Sequence, residues 1–247
     1  ATNAEFAARW IHSLTNPIPL SGQGELRAAR ASTKWASGRN ARLAMSLAAA
    51  TNPPPGDASW AWWTNLLPYQ LTWEADLSGL ESGKLLAEKV ACAGTWLAPE
   101  LIVTNLHVAL PRGALDVRAR LDVPTRATRF EVSSSFDVHD LDPLLTDDAR
   151  RWLGRYSWVE PPQLHGRGAV VLPAWTNRQP DWRGEVLPTL RLAGEFAVTN
   201  VAYLGVAADW ARSRVTYTNL LWRLPDLEAG RPDGLLQAVH QADDRTH

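Results

Sequence analysis

Apolar and polar residues alternate strictly along three stretches of the chain after residue 70. Residues 71–77 carry leucine, tryptophan and alanine at odd positions and polar residues between them, and residues 115–123 and 129–138 alternate in the same way. A period of two residues is that of a half-buried β-strand. The pattern therefore predicts antiparallel strands with one apolar and one solvated face.

The apolar residues of the second and third stretches are predicted to line one continuous face. These residues are Leu115, Val117, Ala119, Leu121, Val123, Phe130, Val132, Phe136 and Val138. The charged residues between them, such as Arg118 and Glu131, are expected to point to water.

Helical signals are confined to short segments. Residues 140–156 carry large apolar side chains near helical spacing, with Thr146 as a cap and Gly154 near the stop, and predict a helical insertion. Residues 5–14 predict a short helix that ends before Asn16-Pro17. Residues 157–190 are rich in proline and turn residues and predict a connector with short strands at most.

Residues 25–50 fit two structures. Their alanine content favours helix, whereas Ser37-Gly38-Arg39-Asn40 resembles a turn between two ten-residue strands. The hairpin is the favoured interpretation.

A proline-rich loop at residues 51–58 precedes a cluster formed by Trp60, Trp62 and Trp63. Such a cluster can bind sugar or lipid, but packing of a strand end on the core is the favoured interpretation.

One sequence frame occurs twice, 114 residues apart. Residues 95–111 and 209–225 are identical at six of 17 positions, including Trp96 with Trp210 and Thr104 with Thr218. Fixed-period similarity indicates a repeated structural unit. We therefore expect an N-terminal segment at residues 1–69, a first β repeat at 70–190 that contains the insertion, and a second, truncated repeat at 191–247.

Composition excludes several classes of function. The net charge is −1 and no segment is basic enough to predict a nucleic-acid partner. Cys92 is the only cysteine, so neither an internal disulfide nor a thiol metal cluster is expected, and the six histidines lack metal-ligand spacing. No metal and no cofactor are predicted. No run of 18 apolar residues and no leader peptide is present, and the first residue is alanine, which predicts a processed or excised piece of a longer protein.

The segment from Cys92 to His107 resembles the strand pair that carries the catalytic histidine of trypsin-like serine proteases, with Asp140 or Asp142 as the acid. That chemistry needs an activated serine in a glycine-rich turn. The serines after residue 142 are Ser157 and Ser213, and neither has such a turn. An enzyme is therefore not predicted.

Two segments, ELIVTNLHVALPRGALDVRARLDV and LRLAGEFAVTNVAYLGVAADWARSRVTYTNLLWRLPDL, resemble bacterial AsmA-like proteins. The shared pattern is a glycine-led strand, a strand with Thr-Asn and an aromatic residue, and a glycine-led return strand. The insertion at 140–156, followed by Pro-Pro and further strands, is similar to the insertion between repeats in that family. The resemblance covers residues 70–247.

The resemblance implies a mainly β fold: a long curved antiparallel sheet built from two diverged repeats, with one or two short helices. It implies a periplasmic protein tethered to the inner membrane by a segment outside this chain and continued by further repeats of a longer parent. Its apolar groove would carry phospholipid acyl chains between the membranes without chemistry. The nine apolar residues named above would then face lipid.

Two alternatives from other classes stay open. One is an extracellular, phage-like or pilus-like β structural subunit, which would oligomerise through an apolar patch. The other is a degenerate trypsin-like protease domain.

Overall fold

Fourteen β-strands make up most of the computed structural model, which describes residues 2–15, 19–34, 36–82, 85–145 and 147–243. The strands are β1 (Thr2–Ile11), β2 (Ser21–Ser32), β3 (Ala36–Ala49), β4 (Tyr69–Ser82), β5 (Leu85–Leu97), β6 (Glu100–Leu110), β7 (Gly113–Asp122), β8 (Ala127–Ser134), β9 (Tyr156–Trp158), β10 (Gln163–Val171), β11 (Arg191–Tyr203), β12 (Val206–Thr218), β13 (Leu221–Arg231) and β14 (Gly234–Asp243).

The strands form one antiparallel sheet in which thirteen follow each other in chain order from β1 to β14, while β9 pairs only with β11. At roughly 4.8 Å per strand, this row extends about 58 Å along the sheet. The predicted fold class, a mainly β chain with a long antiparallel sheet and short helices, is confirmed.

Strand register keeps the apolar side chains on one face from strand to strand. Trp73 lies opposite Gly94, Leu106 opposite Val117, and Val117 opposite Val132. Paired residues in antiparallel strands point to the same side of the sheet. We call this side the apolar face and the opposite side the polar face.

Short helical segments lie between the strands, and two of them cover the apolar face. The first cover segment is the 3₁₀ helix Ala58–Leu66, and the second is the 3₁₀ helix Val138–Leu144. The α-helix α1 (Asp147–Leu153) follows the second, and Trp182–Val186 with Leu187–Thr189 precedes β11.

Glycines allow large side chains to lie flat across neighbouring strands of the sheet. A Cβ atom on Gly94 would stand 2.2 Å from the Trp73 ring and 2.5 Å from the Ile102 carbonyl oxygen, and one on Gly168 would stand 2.5 Å from the Phe130 ring. Gly230 stands under Trp210 in the same manner. These contacts leave no room for a side chain at the glycine positions.

The structure corrects the prediction for the N-terminal region. Residues 5–14 are not helical, because residues 2–11 form β1 and pair along their length with β2. The predicted hairpin at 25–50 is confirmed, but its turn lies near Thr33 and Lys34 rather than at residues 37–40. Asn40 has a left-handed φ of 51° inside β3 and accompanies a register irregularity there. A local turn signal in the sequence thus marks a bulge.

The middle of the chain also departs from prediction. The strand predicted to reach Val138 ends at Ser134, and the helical insertion splits into the second cover segment and α1. Gly154 does end α1, donating its amide to the Arg150 carbonyl at 2.8 Å, whereas Thr146, the predicted cap, lies outside the described residues. The predicted connector contains β10, a nine-residue strand between β8 and β11.

The two sequence frames are not equivalent in structure. Trp96 lies one residue before the end of β5 and Thr104 lies in β6, so a hairpin turn separates them. Trp210 and Thr218 instead lie in the single strand β12. The predicted superposition of Trp96 on Trp210 is therefore wrong, although Gly113 and Gly234 each begin a return strand.

Gly94→Ala is expected to lower the free energy of unfolding by about 1–3 kcal/mol, because the new methyl group overlaps the Trp73 ring and a backbone oxygen. Thermal melting measures the effect. Gly234→Ala is the matched control, since a Cβ atom there meets nothing within 4 Å, and it should change stability by less than about 0.5 kcal/mol. Equal effects of the two substitutions would contradict the proposed packing.

Candidate functional site

An apolar trough crosses the middle of the sheet on its apolar face. Val117, Ala119, Phe130 and Val132 form part of its floor, and all four are only half-buried. The register joins them directly, with Val117 opposite Val132 and Ala119 opposite Phe130. The floor thus consists of apolar side chains that no second layer of this chain buries completely.

The first cover segment forms one rim of the trough. Trp60, Trp63 and Leu67 are buried against Trp96 and the strand ends at Leu121 and Val123. The indole of Trp96 donates to the Leu66 carbonyl at 2.9 Å, and that of Trp175 donates to the Val123 carbonyl at the same distance. These bonds fix the rim because they tie the cover segment to the buried Trp96 and the β7 end to the half-buried Trp175.

The second cover segment forms the opposite rim. Phe136 is buried with Ala87 and Leu110, and Val138, Leu141 and Leu115 pack against them. This cluster shares no residue with the cluster at the first rim. Along β7, Leu115 and Leu121 belong to different rims, and their separation of six residues corresponds to roughly 20 Å.

Asp137 anchors the second rim. It is 1% exposed and caps the cover segment by accepting a hydrogen bond from the His139 amide at 2.9 Å. It also forms an ion pair with Arg112 and a hydrogen bond of 3.0 Å with His139 Nδ1. Burial by itself raises the pKa of Asp137, but the hydrogen bonds from His139 and the charge of Arg112 outweigh it, so the pKa is lowered.

The nine sequence-predicted residues fall into two groups. Leu115, Val117, Ala119, Leu121, Phe130 and Val132 are placed on one face by the pairing of β7 with β8. Val123, Phe136 and Val138 lie beyond the strand ends. Leu121, Val123 and Phe136 are buried in the rims, so the half-exposed floor is narrower than the predicted strip.

Sequence reasoning missed part of the floor. Cys92 lies opposite Ala75 and Leu106, which places its thiol on the apolar face beside the predicted strip. The alternation of Val90, Cys92 and Gly94 in the sequence was the available signal, obscured by the resemblance of that segment to a protease strand pair.

Of the three clustered tryptophans, Trp60 and Trp63 are buried in the first rim, as the packing interpretation predicted, although in a 3₁₀ helix rather than at a strand end. Trp62 is 56% exposed and stacks on Trp63 with ring centroids 4.1 Å apart. The buried indole nitrogen of Trp63 has no hydrogen-bond partner among the described residues.

The polar face carries a row of paired side chains. One residue from each of seven successive strands takes part: His107, Asp116, Ser133, His165, Glu195, Arg214 and Asp226. All of them except His107 line one or both of two shallow depressions of about 750 and 540 Å³. The side chains of the row are paired with one another, as in the 2.8 Å ion pair of Arg214 with Asp226, so we favour the apolar trough as the site.

The residues considered for a protease do not assemble as that chemistry requires. His107 Nδ1 is hydrogen-bonded to Asp116 Oδ1 at 2.7 Å, whereas Asp140 is paired with Arg112. Ser213 is bonded to Asp226 in a different strand pair.

Metal-ligating clusters and membrane-spanning helices are absent from the part of the chain that the structure describes. There, histidine, cysteine and acidic side chains form no group of three that could hold a metal ion. In the same residues, every helix is too short or too polar to cross a bilayer.

Asp137→Asn is expected to lower the stability at neutral pH by about 2 kcal/mol, because the hydrogen bonds to His139 and Arg112 lose their charge. The pKa of Asp137 is lowered in the folded state, so its contribution is complete above the unfolded value of about 3.9 and disappears as the pH falls below it. Melting curves from pH 7 down through this range should show the two proteins converging.

Asp233→Asn is the control for this titration, since Asp233 is 72% exposed in its pair with Arg231. It should have little effect at any pH. A difference between Asp137→Asn and the wild type that is independent of pH would contradict the assigned role of the carboxylate.

Comparison with protein-family models, with curated proteins and with solved structures returns no match. The resemblance to AsmA-like proteins therefore rests on the sequence segments that carry it.

Proposed function

We propose that the trough binds phospholipid acyl chains and that the chain is a non-enzymatic part of a longer lipid-conducting β-groove in the bacterial envelope. One observation carries this proposal: the apolar face is packed along its two rims in separate clusters, while the floor between them stays half-buried. An apolar surface of this extent is normally covered by a partner, a second layer or lipid.

The dimensions of the trough favour an extended apolar ligand. Its floor crosses successive strands, and the apolar register continues from β4 to β8 without a charged residue. An acyl chain lying perpendicular to the strands would contact one apolar side chain from each. Such contacts provide hydrophobic free energy without fixing the ligand in one position, which suits a conduit better than a specific pocket.

The proposed protein is periplasmic, tethered to the inner membrane by a segment outside this chain, and its partners are acyl chains and further repeats of the parent. A β structural subunit of a pilus or phage is the second candidate, because exposed apolar side chains such as Phe6 and Trp10 also suit self-assembly. Size-exclusion chromatography with light scattering separates the two, since a structural subunit would oligomerise through this face.

Val132→Asp is expected to leave the protein folded and to abolish binding of a fluorescent phospholipid. A floor side chain reaches water when lipid is absent, so the carboxylate stays hydrated there. If Val132 is instead ordinary core, the buried carboxylate would cost several kcal/mol and unfold the sheet. Thermal melting and fluorescence titration measure the two effects.

Ala169→Asp is the matched control for this substitution. Ala169 lies on the polar face between Arg129 and Arg191, so an aspartate there has cationic neighbours and should leave lipid binding unchanged. Unfolding of Val132→Asp, or a wild type that binds no lipid, would reject the groove.

Phospholipid monomers are expected to slow alkylation of Cys92 by N-ethylmaleimide several-fold, since this single thiol lies on the floor. The control is the double variant Cys92→Ala/Ala93→Cys, which moves the thiol to the polar face of the same strand. Its alkylation should be insensitive to lipid. Equal protection of both thiols, or none, would rule out lipid in the trough.

A further inference from the structure

Positive charge is concentrated in the first three strands. Residues 2–49 contain six basic side chains, Arg9, Arg27, Arg30, Lys34, Arg39 and Arg42, and two acidic ones, Glu5 and Glu25. Their net charge is therefore +4, whereas the chain as a whole carries −1. The rest of the protein is acidic, so the charge divides the sheet into a cationic end and an anionic remainder.

Two like-charged pairs face each other across β2 and β3. Arg27 lies directly opposite Arg42, and Arg30 directly opposite Arg39. The first pair shares Glu25, which lies 3.0 Å from Arg27 and 2.8 Å from Arg42. Arg30 and Arg39 form no ion pair among the described residues. Like charges directly opposite each other destabilise a sheet, so this pair favours an anionic partner.

Large apolar side chains are also exposed at this end of the sheet. Phe6 is 70% exposed, Trp10 65%, Met45 47% and Leu26 40%. The register places Phe6 opposite Leu26 and Trp10 opposite Gly22, so these side chains lie on the face that carries the trough. Neither cover segment packs against them in the two apolar clusters. The trough therefore opens onto an uncovered apolar patch.

Arginines border this patch at the β2–β3 hairpin. Arg30 stands four residues beyond Leu26 in β2, roughly 13 Å along the strand toward the β2–β3 hairpin. This spacing allows the apolar side chains to enter the acyl region of a bilayer while the guanidinium groups remain among the phosphates. Aromatic and arginine side chains together are typical of such an interface.

We propose that the β1–β3 end of the sheet docks onto a bilayer surface that contains anionic phospholipid. This inference rests on the proposed lipid function and deepens it, because it assigns the end of the trough at which lipid enters or leaves. Each basic side chain near an anionic membrane surface strengthens binding about fivefold. The exposed apolar residues contribute hydrophobic binding free energy, which does not depend on the charge of the lipid.

Vesicle flotation tests the docking. The wild type is expected to float with vesicles of phosphatidylcholine and phosphatidylglycerol, to float weakly with phosphatidylcholine alone, and to detach as salt is raised from about 0.1 M to 1 M. Arg30→Glu/Arg39→Glu should weaken binding to the anionic vesicles at least about 100-fold. Phe6→Ser/Trp10→Ser should weaken binding to both kinds of vesicle.

The control reverses the same number of charges elsewhere. Arg178→Glu/Arg183→Glu changes two exposed arginines of the β10–β11 connection and should alter vesicle binding by less than about threefold. Equal binding to neutral and anionic vesicles, equal loss in both charge-reversal variants, or no binding by the wild type would overturn the proposal. Competition by single-stranded DNA at equal phosphate concentration would identify a nucleic-acid surface and would also overturn it.

Failure of docking is distinguishable from failure of the trough. Protection of Cys92 uses phospholipid monomers and needs no bilayer, so Arg30→Glu/Arg39→Glu should retain full protection while losing flotation. Loss of protection in the wild type would instead reject lipid in the trough and leave flotation as a separate result.

Discussion

The backbone hydrogen-bond register is the constraint on which the rest of this structure depends. Thirteen strands pair in sequence order, and a slip of one residue at any pair would turn the apolar side chains of every later strand to the opposite face. Irregularities do occur, for instance between Val103 and Leu106, yet Leu106 still lies opposite Val117. The bulges thus bend the ladder without exchanging its faces.

Glycine and aromatic residues have complementary roles on this ladder. A single layer of strands has no opposing sheet to fill its surface, so wide side chains must lie on the sheet itself. Trp73 over Gly94 and Phe130 over Gly168 achieve this on the apolar face. The rings shield backbone hydrogen bonds that a second layer would shield in a sandwich.

The two rims explain how so open a sheet keeps its shape. Each rim consists of a small buried cluster held by a few specific polar interactions. At the first rim, the Trp96 indole donates to the Leu66 carbonyl. At the second rim, the Asp137 carboxylate binds the His139 amide and Arg112. The floor between them is left with few packing constraints. Stability and ligand access are therefore assigned to different parts of the same strands, with stability at the ends and access in the middle.

The alternation of apolar and polar residues alone determined the fold class, the strand character of residues 71–77 and 115–123, and the apolar face that β7 and β8 share. A period of two residues is a local property, and it survives in the sequence. This pattern gave the wrong structure at residues 135–138, where the alternation continues although the chain leaves the sheet. There Asp137 is buried and caps a 3₁₀ helix. Its burial depends on an ion pair with Arg112, which is distant in the sequence.

Only the tertiary structure decided which alternating residues are core and which are floor. Leu121 and Val117 are indistinguishable in the sequence, but the first cover segment, 55 or more residues away along the chain, buries only Leu121. The same holds for the helix predicted at residues 5–14. Their composition allows a helix, but residues 5–11 belong to strand β1 because they pair with β2. Long-range pairing and cover arise from residues far apart in sequence, so no local pattern specifies them.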